Sequence, residues 1–228
     1  MTIFLQDEMT ELRRELLEMG EAVEKQVRAA FDALAAADRS GTKQVRKGDL
    51  EINELEVGVE ARCFRILALA SPVGSDLRSV LASLRISTIF ERIGDLAKGM
   101  AKKTRYLIKQ GDYIIPDAIE PMGLETMALL RKAVDALAHE RMSSLDQARQ
   151  ADERIDDYEK VVFRWVEETA PHSSEATAMA VDFYSIARRL ERIADLSINV
   201  IEEVNFLVEG RIVRHGIEVQ PGEMPGDE

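Results

Sequence analysis

The chain has few of the residues that an extracellular or β-rich protein needs. Its 228 residues include one cysteine, and only 5% are aromatic. The single cysteine, Cys63, cannot form an internal disulfide and indicates a reducing compartment. Its apolar neighbours predict a buried side chain rather than a nucleophile. The scarcity of aromatic residues, with few and clustered glycines and prolines, argues against a β-sandwich or barrel.

Long uncharged apolar runs are missing as well. No stretch approaches the ~20 apolar residues that a transmembrane helix needs. Residues 1–8 contain acidic side chains and lack the apolar block of a signal peptide. We therefore expect a soluble, cytoplasmic protein that reaches a membrane only through its partners.

Basic residues are outnumbered by acidic ones, 30 to 42, which gives a net charge of -12. A protein that binds the phosphate backbone of a nucleic acid needs a basic surface, so no nucleic-acid partner is expected. The acidic balance also disfavours loose docking on anionic lipids. It suits metal cations or a basic patch on a partner protein.

Apolar residues recur every three or four positions from Leu5 to Leu34 and at similar spacing further on, which is typical of long amphipathic helices. The pattern is interrupted where turn or capping residues cluster: Ser40–Gly41, Ser71–Gly74, 111–123, Ser144 with Gln147, and Pro171–Ser174. Short connections make neighbouring helices antiparallel. The prediction is an all-α fold of two three-helix bundles of long antiparallel helices. The bundles would span residues 1–112 and 120–212, followed by a disordered tail at 216–228.

An internal repeat relates the two halves. The segment Glu91–Asp95 recurs as Glu191–Asp195, at an offset of 100 residues. Polar residues of the preceding helices recur at an offset of 103, and the eight positions form two sets: Asp49, Asn53, Glu91, Asp95 and Asp152, Asp156, Glu191, Asp195. Positions i and i+4 share a helix face. In each half, the loop of the helical hairpin lies about equally far along the chain from the polar pair before it and the acidic pair after it. The two pairs are therefore expected to lie level with each other on neighbouring helices.

Clustered carboxylates repel one another, and a bound cation removes that cost. Ligand sets made only of oxygen atoms favour hard cations such as Mg, Mn, Ca or Fe. Each set therefore predicts a metal site, with Glu56 and Glu159 as further ligands. The alternative stays open that these acids form solvated helix faces, with Arg92 screening its neighbours.

The repeat resembles that of the PhoU family, and the similarity covers nearly the whole chain. It is carried by both acidic segments together with Ala70–Arg78 and Asp195–Val200. The resemblance implies two three-helix bundles related by pseudo-symmetry, with acid-x-x-x-Asp motifs that bind metal ions (Mg, Mn, Fe or Zn). It also implies a non-enzymatic negative regulator of phosphate uptake and phosphate-starvation signalling. Such a regulator connects the ATPase of a phosphate ABC transporter to a phosphate sensor kinase.

The sequence departs from the family pattern in three places. Leu96 and Leu196 stand where the family has His after the motif Asp, and Gly99 replaces an Asn that the second half keeps as Asn199. The second-half set is therefore the better candidate for a metal site. Exposed faces of long helices favour a homodimer.

Three other functions compete with this interpretation. A metal-free dimerising scaffold would use the same helices. A ferritin-like di-metal protein would need Glu three residues before His, and none of the three histidines has it. Direct phosphate binding would need a basic pocket or a glycine-rich cradle, and neither is evident in the sequence. Motifs for a catalytic triad or a nucleotide-binding loop are likewise missing, so no enzymatic activity is expected.

Overall fold

The computed structural model describes residues 2–210, 212–214 and 217–219. Its helices confirm the all-α prediction: α1 (Thr2–Ala35), α2 (Arg39–Ala70), α3 (Gly74–Gln110), α4 (Ile119–His139), α5 (Leu145–Thr169) and α6 (Ser174–Glu209). A 3₁₀ turn at Ala170–His172 precedes α6, and β1 (Ile212–Arg214) pairs antiparallel with β2 (Ile217–Val219). None of the helices in the described part of the chain is long and apolar enough to cross a membrane.

The helices form two three-helix groups that share one core. Helices α1, α2 and α3 pack on one another, as do α4, α5 and α6, and the groups meet mainly along α3 and α6. Buried positions on α3 recur on α6 at the offset of the repeat: Ile86, Phe90 and Ile93 correspond to Ile186, Leu190 and Ile193. Glu91 and Glu191 directly follow Phe90 and Leu190, so each acidic pair borders the core on an equivalent flank of its helix.

Two ion pairs join the halves near opposite ends of the α3–α6 contact. Lys103 Nζ lies 2.7 Å from Asp182 Oδ1, and Arg85 Nη1 lies 3.4 Å from Glu203 Oε2. Both carboxylates are almost fully buried, with side-chain exposures of 10% and 1%. Removing one partner of a pair of this kind leaves a buried charge without compensation. These pairs therefore hold the two helices in one register.

Side-chain caps mark the starts of three helices, α2, α5 and α6. Ser144 Oγ accepts a hydrogen bond from the Gln147 amide, and Ser173 Oγ accepts one from the Ala176 amide. The predicted break at Ser40–Gly41 is wrong, because these residues lie in the first turn of α2. The helix begins earlier since the Asp38 carboxylate accepts a hydrogen bond from the Ser40 amide at 2.7 Å.

Helix α4 begins at Ile119, whereas the sequence placed residues 111–123 in a loop. Pro121 falls within its first turn, where the missing N–H of proline costs no helical hydrogen bond. The domain limits at 1–112 and 120–212 stay predictions. The predicted disordered tail, 216–228, lies outside the described residues except for Ile217–Val219 of β2.

Candidate metal centre

The second-half residues lie on two neighbouring helices, with Asp152 and Asp156 on α5 and Glu191 and Asp195 on α6. Loss of water around the Asp152 carboxyl, reinforced by the charges of Asp195 and Asp156, raises its pKa to about 6. Partial burial and the charge of Asp156 also raise the pKa of Asp195, although its side chain remains exposed. The structure thus brings carboxylates of α5 and α6 close enough to repel one another.

Two oxygen atoms of this second-half cluster (Asp152, Asp156, Glu191 and Asp195) have no hydrogen bond within the described structure. They are Asp152 Oδ1 and Glu191 Oε2, and both are buried. Arg188 gives partial compensation, since its Nη1 lies 3.5 Å from Glu191 Oε2 and 3.4 Å from Glu159 Oε1. Burial, followed by the charge of Asp195, nevertheless raises the pKa of Glu191. The second-half cluster therefore has more negative charge than its neighbours neutralise.

The first-half cluster, Asp49, Asn53, Glu91 and Asp95, contains its own counter-ion. Lys98 Nζ lies 2.8 Å from Asp49 Oδ2 on α2 and 3.0 Å from Asp95 Oδ1 on α3. The Asp49 side chain is 5% exposed, so the ammonium group neutralises a carboxylate that water barely reaches. Asn53, predicted as a neutral ligand, is exposed on α2. An ammonium group thus sits between two of the predicted metal ligands.

Glu91 and Glu56 still experience repulsion from neighbouring carboxylates of the first-half cluster. Burial raises the pKa of Glu91, and the charges of Asp95, Glu56 and Asp49 add to the increase, while Lys98 opposes it. Burial likewise raises the pKa of Glu56, with contributions from Glu60 and Asp95. Lys98 therefore compensates the α2–α3 cluster in part, chiefly at Asp49 and Asp95.

The sequence contains a local signal for the ion pair of Lys98 that the acidic repeat does not include. Lys98 stands three residues after Asp95, on the same side of a helix. The equivalent position in the second half is Ile198, which is buried and apolar. The two halves therefore share their acidic residues and differ in the cation beside them.

The donor set suits a hard cation, although its oxygen atoms are not gathered around one point. In residues 4–210 no group of three or more His, Cys, Asp or Glu side chains is arranged to hold a metal ion. The two buried oxygens without hydrogen bonds, Asp152 Oδ1 and Glu191 Oε2, are the atoms that a cation would satisfy. The chemistry of these oxygen donors therefore fits a hard cation, while their arrangement forms no ready-made metal site in residues 4–210.

The histidines lie apart from this chemistry. His139 and His172 are exposed at helix ends, and their Nδ1 atoms lie 2.8 Å and 3.2 Å from backbone carbonyls of Asp135 and Thr169. His215 is outside the described residues. Cys63 is fully buried, as predicted, and burial raises the pKa of its thiol to about 12.

Comparison with known proteins extends over both halves. The family model of the PhoU domain matches residues 16–104 and 119–204. A phosphate-specific transport system accessory protein PhoU homolog from Pseudomonas aeruginosa is 32% identical over 212 residues, covering 91% of this chain and 86% of the relative. Its counterpart from Pseudomonas putida is 33% identical over 224 residues, covering 96% and 86%.

Solved structures agree with this match. The crystal structure of PhoU from Pseudomonas aeruginosa superposes with a TM-score of 0.83 at 32% identity, covering 90% of this chain and 99% of that chain. The phosphate transport system regulatory protein PhoU from Streptococcus pneumoniae gives a TM-score of 0.79 at 27% identity, covering 92% and 99%. The similarity therefore includes the helices that carry both acidic clusters.

Proposed function

The chain belongs to the PhoU family, and we propose that it is a non-enzymatic accessory regulator of a phosphate-specific transport system. The observation that carries the proposal is the match of both halves to the family model. Relatives named as accessory proteins of that transport system add support, since the alignment spans 86% of their own length. In this role the protein restrains phosphate uptake and phosphate-starvation signalling, as an adaptor between the transporter ATPase and a phosphate sensor kinase.

The adaptor role is tested by capture of both partners. The full chain, immobilised through its N-terminus, is exposed to extracts of phosphate-replete cells that produce the transporter ATPase and the sensor kinase with distinct tags. We expect both tags to be retained, and retention to fall in extracts of phosphate-starved cells. Retention of neither protein would contradict the adaptor role and leave the family membership untouched.

We further propose that the second-half cluster holds the metal ion. Its four carboxylates lack a lysine equivalent to Lys98, and two of its oxygen atoms are buried without a hydrogen bond. A hard divalent or trivalent cation, of which Mg, Mn and Fe fit the oxygen ligands better than Zn, would neutralise the repulsion. The first-half cluster is the weaker site, because the Lys98 ammonium already pairs with Asp49 and Asp95.

Metal content of matched variants tests this assignment. Protein treated with a chelator is reloaded with Mn²⁺, dialysed and analysed for bound metal. The double variant Asp156→Ala with Asp195→Ala should lose the metal that the wild type retains. The control Glu167→Ala with Glu168→Ala removes the same charge from exposed positions of α5 and should keep it. Equal metal content in all three proteins would contradict the proposed ligands, and a wild type that retains no metal would favour the metal-free scaffold.

A homodimer is also proposed, with α2 as the contact. Apolar residues on the outer face of α2 repeat at the alternating spacing of four and three that two-helix seams use: Val57, Ala61, Phe64 and Ala68, with Leu50 one heptad earlier. All five side chains are exposed, and Val57 and Phe64 leave 64% and 57% of their surface open. A second copy of α2 presents the same seam and would bury it symmetrically.

A further inference from the structure

A basic groove runs between α3 and α6, on the contact that joins the two halves. Its volume is about 450 Å³. Four cationic side chains line it, together with Lys98 and its partner Asp95, and the four come from both helices: Arg92, Lys102, Arg189 and Arg192. Arg92 and Arg192 are equivalent in the repeat, as are Leu96 and Leu196, which also line the groove. The groove therefore lies near the pseudo-symmetry axis of the molecule.

The four cations that line this groove form no ion pair in the described part of the chain. Among the described residues, no ion pair of 4.0 Å or less forms with Arg92, Lys102, Arg189 or Arg192. Arg192 acts on Asp195 only through its field, which lowers the pKa of that carboxyl against the effect of burial. In a chain with a net charge of -12, four unpaired cations in one groove are a local excess that an anion would neutralise.

Arg189 shows that the groove is built rather than accidental. Its side chain crosses from α6 onto α3, where Gly99 makes room, since a Cβ atom at residue 99 would overlap Arg189 Nε. Arg189 Nη1 donates hydrogen bonds to the Ser185 carbonyl, at 2.6 Å, and to Ser185 Oγ. Burial lowers the pKa of this guanidinium group, so the charge is held half-buried with incomplete hydration. A glycine and a serine thus hold the arginine beside the groove.

From this arrangement we infer that the α3–α6 groove binds a small soluble polyanion with two or more phosphoryl groups. Guanidinium groups bind phosphoryl oxygens in bidentate geometry, and lysine adds a point charge. Inorganic phosphate, with a single phosphoryl group, fills only a small part of a groove of about 450 Å³. A chain of two or three phosphoryl groups matches both the volume and the four charges.

Titration calorimetry with tripolyphosphate tests the inference, using full-length protein that has been treated with a chelator so that metal binding does not contribute. The variant Arg92→Gln with Arg192→Gln removes the symmetric pair of exposed cations. The control Arg149→Gln with Arg164→Gln makes the same change of net charge on the exposed surface of α5. We expect the groove variant to weaken binding about tenfold or more, and the control by less than about threefold.

Binding of other anions shows whether the groove selects a soluble chain of phosphoryl groups. Inorganic phosphate should bind at least about tenfold more weakly than tripolyphosphate, and citrate should also be weaker, since its carboxylates carry less charge per group. Equal losses in the two double variants would overturn the groove as the site. Tighter binding of citrate, or binding to phosphatidylglycerol vesicles without binding to tripolyphosphate, would overturn the proposed ligand class. Metal content plays no part in these outcomes, so they are independent of the proposed metal centre.

Discussion

At the scale of single residues, Lys98 distinguishes two acidic clusters that are similar in sequence, because only the first-half cluster contains this lysine. It pairs with the buried Asp49 and with Asp95, whereas Ile198 occupies the same position of the second half. A buried carboxylate that loses its partner pays the full cost of desolvation. Lys98 is therefore a structural counter-ion, and its loss should expose the repulsion that the second half still contains.

Lys98→Ala should lower the free energy of unfolding by about 1–3 kcal/mol, because Asp49 would remain buried without a cation. Millimolar Mn²⁺ should restore part of this loss by occupying the vacated position. Urea unfolding with and without Mn²⁺ measures both effects. Lys102→Ala, an exposed lysine one turn further along α3, should change stability by less than about 0.5 kcal/mol. Equal stabilities of the two variants would contradict the counter-ion role.

Asp152 should make the metal-free protein sensitive to pH. Its pKa in the folded state is about 6, above the ordinary 3.8, so the folded state binds this proton more tightly than the unfolded state. The free energy of unfolding should therefore fall as pH rises from about 4 to about 6 and stay lower above that range.

Asp152→Asn removes that titration. The variant should be more stable than the wild type by about 1 kcal/mol at neutral pH, after allowance for partial solvent screening, and equally stable near pH 4. Urea unfolding of chelator-treated protein at both pH values makes the comparison. Glu167→Gln, at an exposed position further along α5, should follow the wild type. A constant difference at both pH values would show that the titration of Asp152 is not its cause.

At the scale of helices, the contact of α1 with α4 depends on a glycine. A Cβ atom at Gly123 would overlap the ring of Phe31, which is buried between these helices. At Gly58 on α2, a Cβ atom would meet no other atom within 4 Å. The same substitution should therefore have opposite effects at the two positions.

Gly123→Ala should destabilise the protein by about 1–3 kcal/mol, since Phe31 or the helix must move to accept the methyl group. Gly58→Ala should stabilise it by about 0.5–1 kcal/mol, because alanine loses less backbone entropy than glycine in a helix. Thermal unfolding of both variants, followed by circular dichroism, tests the pair. A neutral Gly123→Ala would show that α1 and α4 are not closely packed at this point.

The helices were largely predictable because their signals are local. Amphipathic spacing located all six, and Gly111 and Gly210 end α3 and α6 as helix-terminating glycines do. Two starts were misplaced for local reasons as well. Apolar spacing does not reveal the Asp38 cap, and Pro121 resembles a loop residue in sequence although proline is accepted in the first turn of a helix.

At the scale of the whole molecule, the exposed seam on α2 contrasts with the continuous core behind it. The core joins both halves through α3 and α6, whereas the seam is left open at the surface. Apolar residues in heptad spacing on an otherwise polar face are the pattern of an interface between helices.

Val57→Glu with Phe64→Glu should convert the proposed dimer into a folded monomer, because charges would then face each other across the seam. Light scattering coupled to size-exclusion chromatography measures the mass of the wild type and the variant. The control variant Leu124→Glu with Val181→Glu changes two exposed apolar residues elsewhere and should have the same mass in solution as the wild type. A wild-type mass equal to one chain would contradict the dimer directly.

The helices, their repeat and the acidic pairs can be predicted from sequence alone, since each follows from spacing along one helix or from an offset between two. Which charges meet depends instead on how the helices pack against one another. Lys98 joins Asp49 across α2 and α3, and the basic groove combines cations of α3 and α6 that stand 87 to 100 residues apart in the sequence. Composition does not reveal such a groove, because a net charge of -12 does not indicate where the cations of the protein gather. The physical reason is that electrostatic interactions depend on distance in space, which the packing of α3 on α6 sets.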